Sequence, residues 1–280
     1  MSQSRIGILH PGNMGVSVAA SFKTAGNEVL WASDGRSEAT RQRAQDAGLN
    51  DAVTVRALCE TCSIIVSVCP PHAARDVASE VLGYGFNGHY VDANAISPQI
   101  AVSLDVLFAS AGGSFVDGGI IGGPAWTSGN TWLYLSGSTA AEIASILAGG
   151  ALGVACIGEV PGKASALKMC YAAYSKGTTA LLAAILAAAT HYGVREELED
   201  QWAQDDPDFS EQTLARIRRV TAKAWRYIGE MQEISATFQA AGVPGEFHLA
   251  AAEIYRRMDG LEQRSELPSL EEILLRLIQP

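Results

Sequence analysis

The segment RIGILHPGNMGVSVAA (residues 5–20) decides the fold of this chain. It begins with the apolar run of a buried strand and ends with the small and apolar residues of a helix, and Gly12 and Gly15 lie at the turn between them. Glycine at the first position lets a ligand approach the backbone, and glycine at the second lets the helix pack closely on the strand. The complete pattern G-x-G-x-x-G also requires a glycine at residue 10, where this chain has His10. The segment predicts the first strand, turn and helix of an α/β domain.

The first half of the chain continues this alternation of strands and helices. Short runs rich in β-branched and apolar residues predict strands at 5–10, 28–33, 63–69, 89–94, 114–121, 131–137 and 152–158. Helical periodicity predicts helices at 13–25, 37–47, 71–82, 97–111 and 139–149. Strands that are apolar throughout indicate a parallel sheet with helices on both faces. We therefore predict a Rossmann-type α/β domain, doubly wound and mostly parallel, over residues 1–160.

The second half predicts an all-α domain over residues 161–280. It carries no convincing strand, and its helical periodicity is broken at Gly193, Pro207, Gly229, Gly242–Pro244 and Pro268. Its first helix, at 163–192, would be about 45 Å long, and its many alanines let other helices pack closely. The most apolar window, 180–190, is too short to cross a bilayer and predicts a buried helix instead.

Composition excludes several classes of function. The net charge is −10, whereas surfaces that bind nucleic acids or anionic membranes are basic. The N-terminus lacks the apolar stretch of a secretory signal. The five cysteines form no even disulfide framework, and the C-x-x-C of Cys59 and Cys62 has no second pair with which to bind zinc. We expect a cytoplasmic protein with free thiols, no metal site and a small-molecule substrate, and with neither nucleic acid nor membrane as partner.

The turn after the first strand indicates a site for the pyrophosphate of a dinucleotide. The first N–H groups of a helix have no partner within the helix, and the helix dipole favours an anion beside them. A phosphate at a helix N-terminus after a glycine-rich turn is the usual arrangement in nucleotide-binding α/β domains. We therefore expect Gly12, Asn13 and Met14 to bind the cofactor.

The end of the second strand bears on the choice between NADP and NAD. The run WASDGRS (31–37) places Ser33, Arg36 and Ser37 where charge-assisted bonds hold a 2′-phosphate, with Arg36 as the main donor. Asp34 opposes this assignment, because a carboxylate in the same pocket repels a phosphate. The alternative is that Arg36 is a solvated residue in the first turn of the next helix. We expect NADP(H) in preference to NAD(H).

Cys69, Pro70 and Asn94 lie at the ends of two later strands. The carboxyl edge of the sheet is where open α/β folds bind ligands, so we predict that these residues line the cofactor site. Turn chemistry alone also favours proline and asparagine at such positions, which leaves a structural role as the alternative.

Four segments in this order resemble motifs of the β-hydroxyacid dehydrogenase and 6-phosphogluconate dehydrogenase superfamily, and the resemblance covers essentially the whole chain. HPGNMG (10–15) is similar to its cofactor loop, and FVDGGIIGGP (115–124) to its substrate motif. GKASALKMCYA (162–172) resembles the motif with the catalytic lysine, and the helix around Glu230–Pro244 is a weaker match. The chain looks most like a short branch with a 6-phosphogluconate-dehydrogenase-like helical C-terminal domain.

The resemblance implies an NAD(P)-dependent dehydrogenase or reductase that transfers hydride between the nicotinamide and a hydroxyl or carbonyl carbon. By position it implies that Lys168 is the general acid or base. It also implies that Gly122 and Gly123 offer N–H groups to a substrate anion. Members of the superfamily place the active site between the Rossmann domain and the helices, and homodimers through the helical domain are common among them.

The chain departs from the superfamily motifs at several polar positions. Ile121 replaces the serine before the double glycine. Asn94 and Ala95 stand where the superfamily has Ser-Thr, and Ala172 replaces an asparagine after the lysine. A small carboxylate would make fewer charge-assisted bonds here, and its desolvation would cost more. We infer that the substrate is not the usual short 3-hydroxy acid.

Tyr171 and Ser175 follow Lys168 at i+3 and i+7, on the same face of a regular helix. We therefore predict that Tyr171 assists proton transfer and that Ser175 contacts the substrate. The alternatives are a lysine that extends into solvent from an alanine-rich helix and a tyrosine that only packs. Weaker candidates, which the sequence does not rank, are Tyr174, Lys176, Lys223, Arg226 and His248.

Two other functions fit the same residues. Imine reductases share the fold and cofactor, and the apolar Ile121 and Ala95 suit a less anionic substrate, although those enzymes usually carry Asp or Tyr in place of Lys168. The altered polar positions also fit a cofactor-binding protein with little catalysis, because a fold does not guarantee chemistry.

Overall fold

The computed structural model describes residues 4–261 and 266–279. The chain folds into two compact units, Met1–Met169 and Cys170–Pro280. The N-terminal unit holds every strand assigned in the described residues, and the C-terminal unit is helical.

The N-terminal unit is built on an eight-stranded sheet with the order β3-β2-β1-β4-β5-β6-β7-β8 in the part of the chain that the structure describes. Its strands are β1 (Arg5–Leu9), β2 (Glu28–Trp31), β3 (Asn50–Asp51), β4 (Ile64–Ser67), β5 (His89–Asp92), β6 (Ser114–Ile121), β7 (Trp132–Ser136) and β8 (Gly153–Cys156). Neighbouring strands are parallel, except that β7 runs antiparallel to β6. The order 3-2-1-4-5-6 is that of the doubly wound Rossmann fold, so the predicted fold class is confirmed.

Helices connect these strands much as the sequence predicts. They are α1 (Asn13–Thr24), α2 (Glu38–Asp46), α3 (Val55–Thr61), α4 (Ala74–Gly83, after a 3₁₀ turn at Pro71–Ala73), α5 (Pro98–Ser110) and α6 (Ala140–Leu147). Two elements, β3 and α3, were not predicted from the sequence. Both are short, and the seven residues of α3 contain fewer than the two turns that a periodic pattern needs.

Two apolar cores lie on opposite faces of the sheet, because successive side chains of a strand point to opposite sides. In β4, Ile64 and Val66 belong to one core, and Ile65 belongs to the other. Each of the three is at most 1% exposed. This double burial explains why the strands read as continuous apolar runs.

The first turns of the next helix, α7 (Lys163–Ala172), pack on β6. A methyl group added at Gly119 would lie 2.6 Å from the carbonyl oxygen of Ala164 and 3.1 Å from the Cβ of Lys168. The other side of the strand is equally close at Gly118, where an added methyl would lie 2.8 Å from the carbonyl oxygen of Asp92. Because of this packing, the N-terminal unit extends to Met169, beyond the boundary near residue 160 that the sequence suggests.

The C-terminal unit is formed by the continuation of this helix and by further helices. After α7 the backbone makes a π-helical segment (Ala173–Gly177) and continues as α8 (Thr178–Tyr192). The others are α9 (Arg195–Asp205), α10 (Phe209–Val220), α11 (Ala224–Ala240), α12 (Glu246–Arg257) and α13 (Leu270–Ile278). The predicted break at Gly229 is wrong, because α11 runs through it and the break comes earlier, at a 3₁₀ turn (Thr221–Lys223).

The run Lys163–Tyr192 is long and apolar enough to cross a membrane by length and composition alone. Half of its most apolar window is buried inside the protein.

Gly119→Ala tests the packing of α7 on β6. The added methyl meets backbone rather than a flexible side chain, so we expect the free energy of unfolding to fall by about 1–3 kcal/mol. The matched control is Gly83→Ala at the end of α4, where nothing lies within 4 Å of the added methyl. Urea unfolding of both variants measures the difference, and equal stability of the two would contradict this packing.

Candidate active site

The turn after β1 brings the backbone of α1 against the end of the strand. His10 has a φ of +63°, a left-handed conformation in which glycine is usual, and the Gly12 N–H donates to the His10 carbonyl at 2.7 Å. A methyl added at Gly15 would lie 2.5 Å from that same carbonyl. His10 therefore adopts the backbone conformation that the missing glycine of the pattern would supply, and Gly15 is required for helix–strand packing.

The start of α1 fits a phosphate group. Gly12 is the N-cap residue, and helix geometry leaves the first N–H groups, including those of Asn13 and Met14, without acceptors inside the helix. Asn13 is exposed and Gly12 and Met14 are half-buried. Open N–H groups at the positive end of a helix dipole are what a pyrophosphate requires.

The turn after β2 holds Ser33 and Arg36 together. Ser33 is buried and its carbonyl accepts the Arg36 N–H at 3.1 Å. Ser37 is exposed, and its hydroxyl caps α2 by accepting the Thr40 N–H. The Nε of Arg36 is buried and has no hydrogen-bond partner among the described residues. Such an orphaned donor fits a ligand with an acceptor oxygen.

A cavity of about 260 Å³ lies beside this turn. Both signs of charge contribute to its wall, which is formed by Ala32, Asp34, Arg36, Thr54, Val55, Arg56, Glu80 and Tyr84. The Arg56 guanidinium lies over the Tyr84 ring, 4.7 Å from its centre. The cavity gives the adenosine end of a dinucleotide room beside Arg36.

His10 is a feature of this region that the sequence shows only as a gap in the glycine pattern. Its Nδ1 is buried with no hydrogen-bond partner in the described part of the chain. Burial and the nearby Arg36 lower the pKa of His10 to about 4. The imidazole is therefore neutral at neutral pH. The signal in the sequence was a bulky residue at a glycine position.

The structure brings the predicted Cys69 and Asn94 into direct contact. The Asn94 side-chain oxygen accepts the Cys69 N–H at 2.5 Å, and its amide nitrogen donates to Asp92 at 2.9 Å and to Ser67 at 3.2 Å. Burial raises the pKa of Asp92 to about 7. Asn94 thus ties the ends of β4 and β5 together, while Pro70 is exposed at the following turn.

The loop after β6 lies against the cofactor turn. The Ser17 hydroxyl donates to the Met14 carbonyl at 2.8 Å and accepts the Ala125 N–H, also at 2.8 Å. Gly122 has a φ of +124°, and a methyl there would clash with the Asn130 carbonyl, whereas nothing lies within 4 Å of a methyl added at Gly123. Ser17 therefore fixes the double-glycine loop next to the start of α1. The sequence gives no sign of this role, because a serine within a helix carries no distinguishing pattern.

The base of the Lys168 side chain, on α7, packs against β6. Lys168 is half-buried, and its Cβ packs on Gly119, two residues before Ile121 on the same face of the strand. The candidate lysine, the double-glycine loop and the cofactor turn therefore belong to a single compact unit.

Tyr171 and Ser175 belong to the C-terminal unit. Tyr171 is 45% exposed, and the Ser175 hydroxyl donates to the Tyr171 carbonyl at 2.9 Å. Ser175 lies in the π-helical segment, whose wider turn displaces it from the regular i+7 position relative to Lys168. The common face predicted for the three side chains therefore extends only over the turn that joins Lys168 and Tyr171.

The weaker candidates of the C-terminal unit are engaged in packing or exposed. The Lys176 ammonium pairs with the buried Glu230 and lies 4.8 Å from the centre of the Tyr227 ring. His248 is buried against Phe238 and Phe247. The exposed candidates are Tyr174, Lys223 and Arg226.

Comparisons with known families agree with this architecture. Residues 5–157 match the family described as the NAD binding domain of 6-phosphogluconate dehydrogenase. The chain belongs to this superfamily. Residues 189–258 match a domain of unknown function that accompanies the first in this chain. The assignment makes the protein an NAD(P)-binding member of an oxidoreductase superfamily, as the resemblance of its motifs predicted.

Individual relatives span most of the chain. An uncharacterized 28.5 kDa protein from Methanothermus fervidus is 30% identical over 194 residues, which are 69% of this chain and 74% of that protein. A conserved protein of unknown function with structural similarity to 3-hydroxyacid dehydrogenases is 26% identical, with a TM-score of 0.69 over 98% of this chain and 100% of that one.

Two enzymes of lower identity share the fold. A 3-hydroxyisobutyrate dehydrogenase from Salmonella typhimurium is 16% identical, with a TM-score of 0.72 over 98% of this chain and 99% of that one. An imine reductase from Myxococcus stipitatus, in complex with NAD⁺, is 18% identical, with a TM-score of 0.58 over 99% and 100%.

The pKa of His10 predicts a pH dependence of stability. The pKa of His10 falls from 6.5 in the unfolded chain to about 4 in the folded one, so the folded state favours the neutral imidazole. The contribution of neutral His10 to the free energy of unfolding is therefore complete above pH 6.5 and is lost as the pH falls towards 4. Between pH 7.5 and 5, the wild type should lose about 2 kcal/mol more stability than His10→Asn, since asparagine tolerates the left-handed backbone and does not titrate. Urea unfolding at both pH values measures this.

The control is His10→Gly, which also removes the titrating group and suits the positive φ. Both variants should show the same reduced pH dependence. A pH dependence equal to that of the wild type in both would show that His10 does not contribute.

Proposed function

We propose that this protein is an NADP(H)-dependent oxidoreductase that transfers hydride between the nicotinamide and a hydroxyl or carbonyl carbon of a small molecule, with Lys168 as general acid or base. The observation that carries the proposal is the position of Lys168. Lys168 lies on α7 and its Cβ packs on β6, in the same unit as the double-glycine loop and the cofactor turn. A lysine half-buried in such surroundings is suited to proton transfer.

The proposed cofactor contacts follow from the geometry of the N-terminal unit. The N–H groups of Asn13 and Met14 bind the pyrophosphate, and Gly12, whose own N–H is engaged with the His10 carbonyl, lets the pyrophosphate approach the backbone. Arg36 donates its unpaired Nε–H and its terminal N–H groups to the 2′-phosphate. Ser37 takes part in this only as the cap of α2, because its hydroxyl is engaged with Thr40. The preference for NADP(H) over NAD(H) rests on Arg36.

The chemistry divides between cofactor and protein. The nicotinamide supplies or accepts the hydride. In the oxidative direction Lys168 takes the hydroxyl proton, and in the reductive direction it returns that proton to the carbonyl oxygen. We assign Tyr171 as an assisting donor. We assign Ser175 as a substrate contact that acts only as an acceptor, because its hydroxyl proton is engaged with the Tyr171 carbonyl. Gly122 and Gly123 offer N–H groups to an anionic or polar end of the substrate.

The substrate is proposed to be less anionic than a short 3-hydroxy acid. Ile121 is half-buried at the end of β6 and has no polar atom in its side chain. The side-chain amide of Asn94 is hydrogen-bonded to Cys69, Asp92 and Ser67 and is therefore not directed at a ligand. Each feature reduces the number of donors available to a small carboxylate.

The apolar Ile121 also favours a second candidate, reduction of an imine on the same fold. A third candidate, cofactor binding without turnover, would be favoured if NADPH binds and a panel of hydroxy acids, ketones and imines is left unchanged.

We further propose a cytoplasmic homodimer that associates through the helical unit and binds neither nucleic acid nor membrane. Apolar side chains available for such an interface are Trp225, Phe247 and Leu249, which are 46–48% exposed.

Arg36→Ala tests the cofactor assignment. Loss of charge-assisted bonds to the 2′-phosphate should weaken NADPH binding about 10- to 100-fold and leave NADH binding nearly unchanged. Cofactor fluorescence titration gives both dissociation constants. The matched control is Arg5→Ala, which removes the same charge at the amino end of β1, where Arg5 pairs with Glu28. Equal loss for NADPH and NADH, or none, would overturn the choice of NADP.

Lys168→Ala tests the acid–base assignment. Carbonyl reduction should fall by about 10²- to 10⁴-fold, while the NADPH dissociation constant stays the same. The control is Lys163→Ala, an exposed lysine on the same helix. Carbonyl reduction that survives Lys168→Ala undiminished would refute the proton-transfer role. Loss confined to ketones, with imine reduction retained, would favour the second candidate.

A further inference from the structure

The start of α7 is capped by a side chain from another element. Asp117 of β6 is fully buried, and its Oδ2 accepts the N–H of Gly162 at 2.9 Å and that of Ser165 at 3.0 Å. Its Oδ1 accepts the Ser165 hydroxyl. Two of the N–H groups that a helix start leaves unpaired are thereby satisfied by one carboxylate.

Ser136 of β7 completes this arrangement. Its buried hydroxyl donates to Asp117 Oδ2 at 2.9 Å and accepts the Ala164 N–H at 3.0 Å. Burial raises the pKa of Asp117, and the hydrogen bonds from Ser165, Ser136 and Gly162 oppose that rise. Two strands and the first turn of α7 therefore meet at a single carboxylate.

The same face of β6 leads from this carboxylate to the candidate lysine. Asp117 and Gly119 are two residues apart on that face, and Lys168 lies one helical turn after Ser165. Because Gly119 has no side chain, α7 can lie directly against the strand. Asp117 fixes the position of the N-terminal end of α7 along the strand. A helix turn is stiff, so a displacement at Ser165 moves Lys168 by a similar distance.

We propose that Asp117, supported by Ser136, is a positioning residue for Lys168: it fixes where α7 begins on β6 and hence where the lysine side chain leaves the helix. The inference rests on the proposed acid–base role of Lys168. It adds that the rate of proton transfer depends on two residues that do not touch the reacting atoms. A misplacement of about 1 Å is enough to cost about 100-fold in rate.

Three substitutions distinguish the effect of the hydrogen bonds that fix the start of α7 from the effect of the negative charge of Asp117. Asp117→Ala removes the acceptor of all four hydrogen bonds. Asp117→Asn keeps a carbonyl oxygen for Gly162, Ser165 and Ser136, and its amide can donate to the Ser165 hydroxyl. Ser136→Ala removes a donor to Asp117 and the acceptor of the Ala164 N–H, and it serves if Asp117→Ala fails to fold. The matched control is Ser114→Ala. Ser114 is a half-buried serine at the start of β6, the strand of Asp117, and its hydroxyl bonds to Thr139 instead.

The first measurement does not depend on turnover. The full chain is acetylated with the N-hydroxysuccinimide ester of acetic acid, and mass spectrometry compares the rate at Lys168 with that at the exposed Lys223. Asp117→Ala and Ser136→Ala should change this ratio by about twofold or more. Asp117→Asn and Ser114→Ala should leave it at the wild-type value. A ratio unchanged in all four variants would overturn the proposal.

The second measurement is a double-mutant cycle on NADPH consumption, with the ketone or oxo acid that the wild type reduces fastest. Ser136→Ala should lower kcat about tenfold with little change in KM or in the NADPH dissociation constant, and it should have no effect in a Lys168→Ala background. Asp117→Asn should retain kcat within about threefold of the wild type. An equal loss in both backgrounds would show a merely structural role and overturn the inference.

The two measurements separate this inference from the proposed function. If Lys168→Ala itself leaves the rate unchanged, the proposed function fails, and the positioning role in catalysis fails with it. If Lys168→Ala is inactive but the ratio and the cycle show no effect of Asp117 and Ser136, the proposed function stands and the positioning inference is overturned.

Discussion

The packing of α7 directly on β6 is the constraint on which the candidate site depends. A helix can lie this close to a strand only where the strand offers no side chain, and Gly119 provides that place. The contact is with backbone, so the distance between the two elements is set by covalent geometry and van der Waals radii. This contact therefore determines the position of Lys168. Residues that resemble separate motifs in the sequence, in β6 and in α7, thus form one structural unit.

The architecture of the N-terminal unit was predictable because its strands are buried on both faces. Runs such as SIIVSVC (63–69) have no polar face to obscure them, and glycine and proline mark where they end. What failed was short or local. α3 has too few residues to show periodicity, and Gly229 resembles a helix break although α11 passes through it. Packing of α11 against the neighbouring α12 outweighs the small helix penalty of one glycine.

The site was predictable at the ends of strands and unpredictable between them. Residues at the carboxyl edge, such as Arg36 and Asn94, follow from the parallel topology alone. Ser17, Asp117 and Ser136 act through hydrogen bonds to residues between 19 and 108 positions away in sequence. No local pattern distinguishes such a serine or aspartate from a solvated one.

The glycines of β6 divide the neighbourhood of Lys168 into positions that can change and positions that cannot. At Gly118 and Gly119 of β6, and at Gly122 directly after it, an added methyl would lie within 3 Å of backbone atoms, so any substitution there forces the backbone to shift and costs stability. Ile121, at the end of the same strand, carries a half-buried side chain instead. Changes in the shape of this region are therefore expected at side chains such as Ile121, and not at the glycines on which the helix packs.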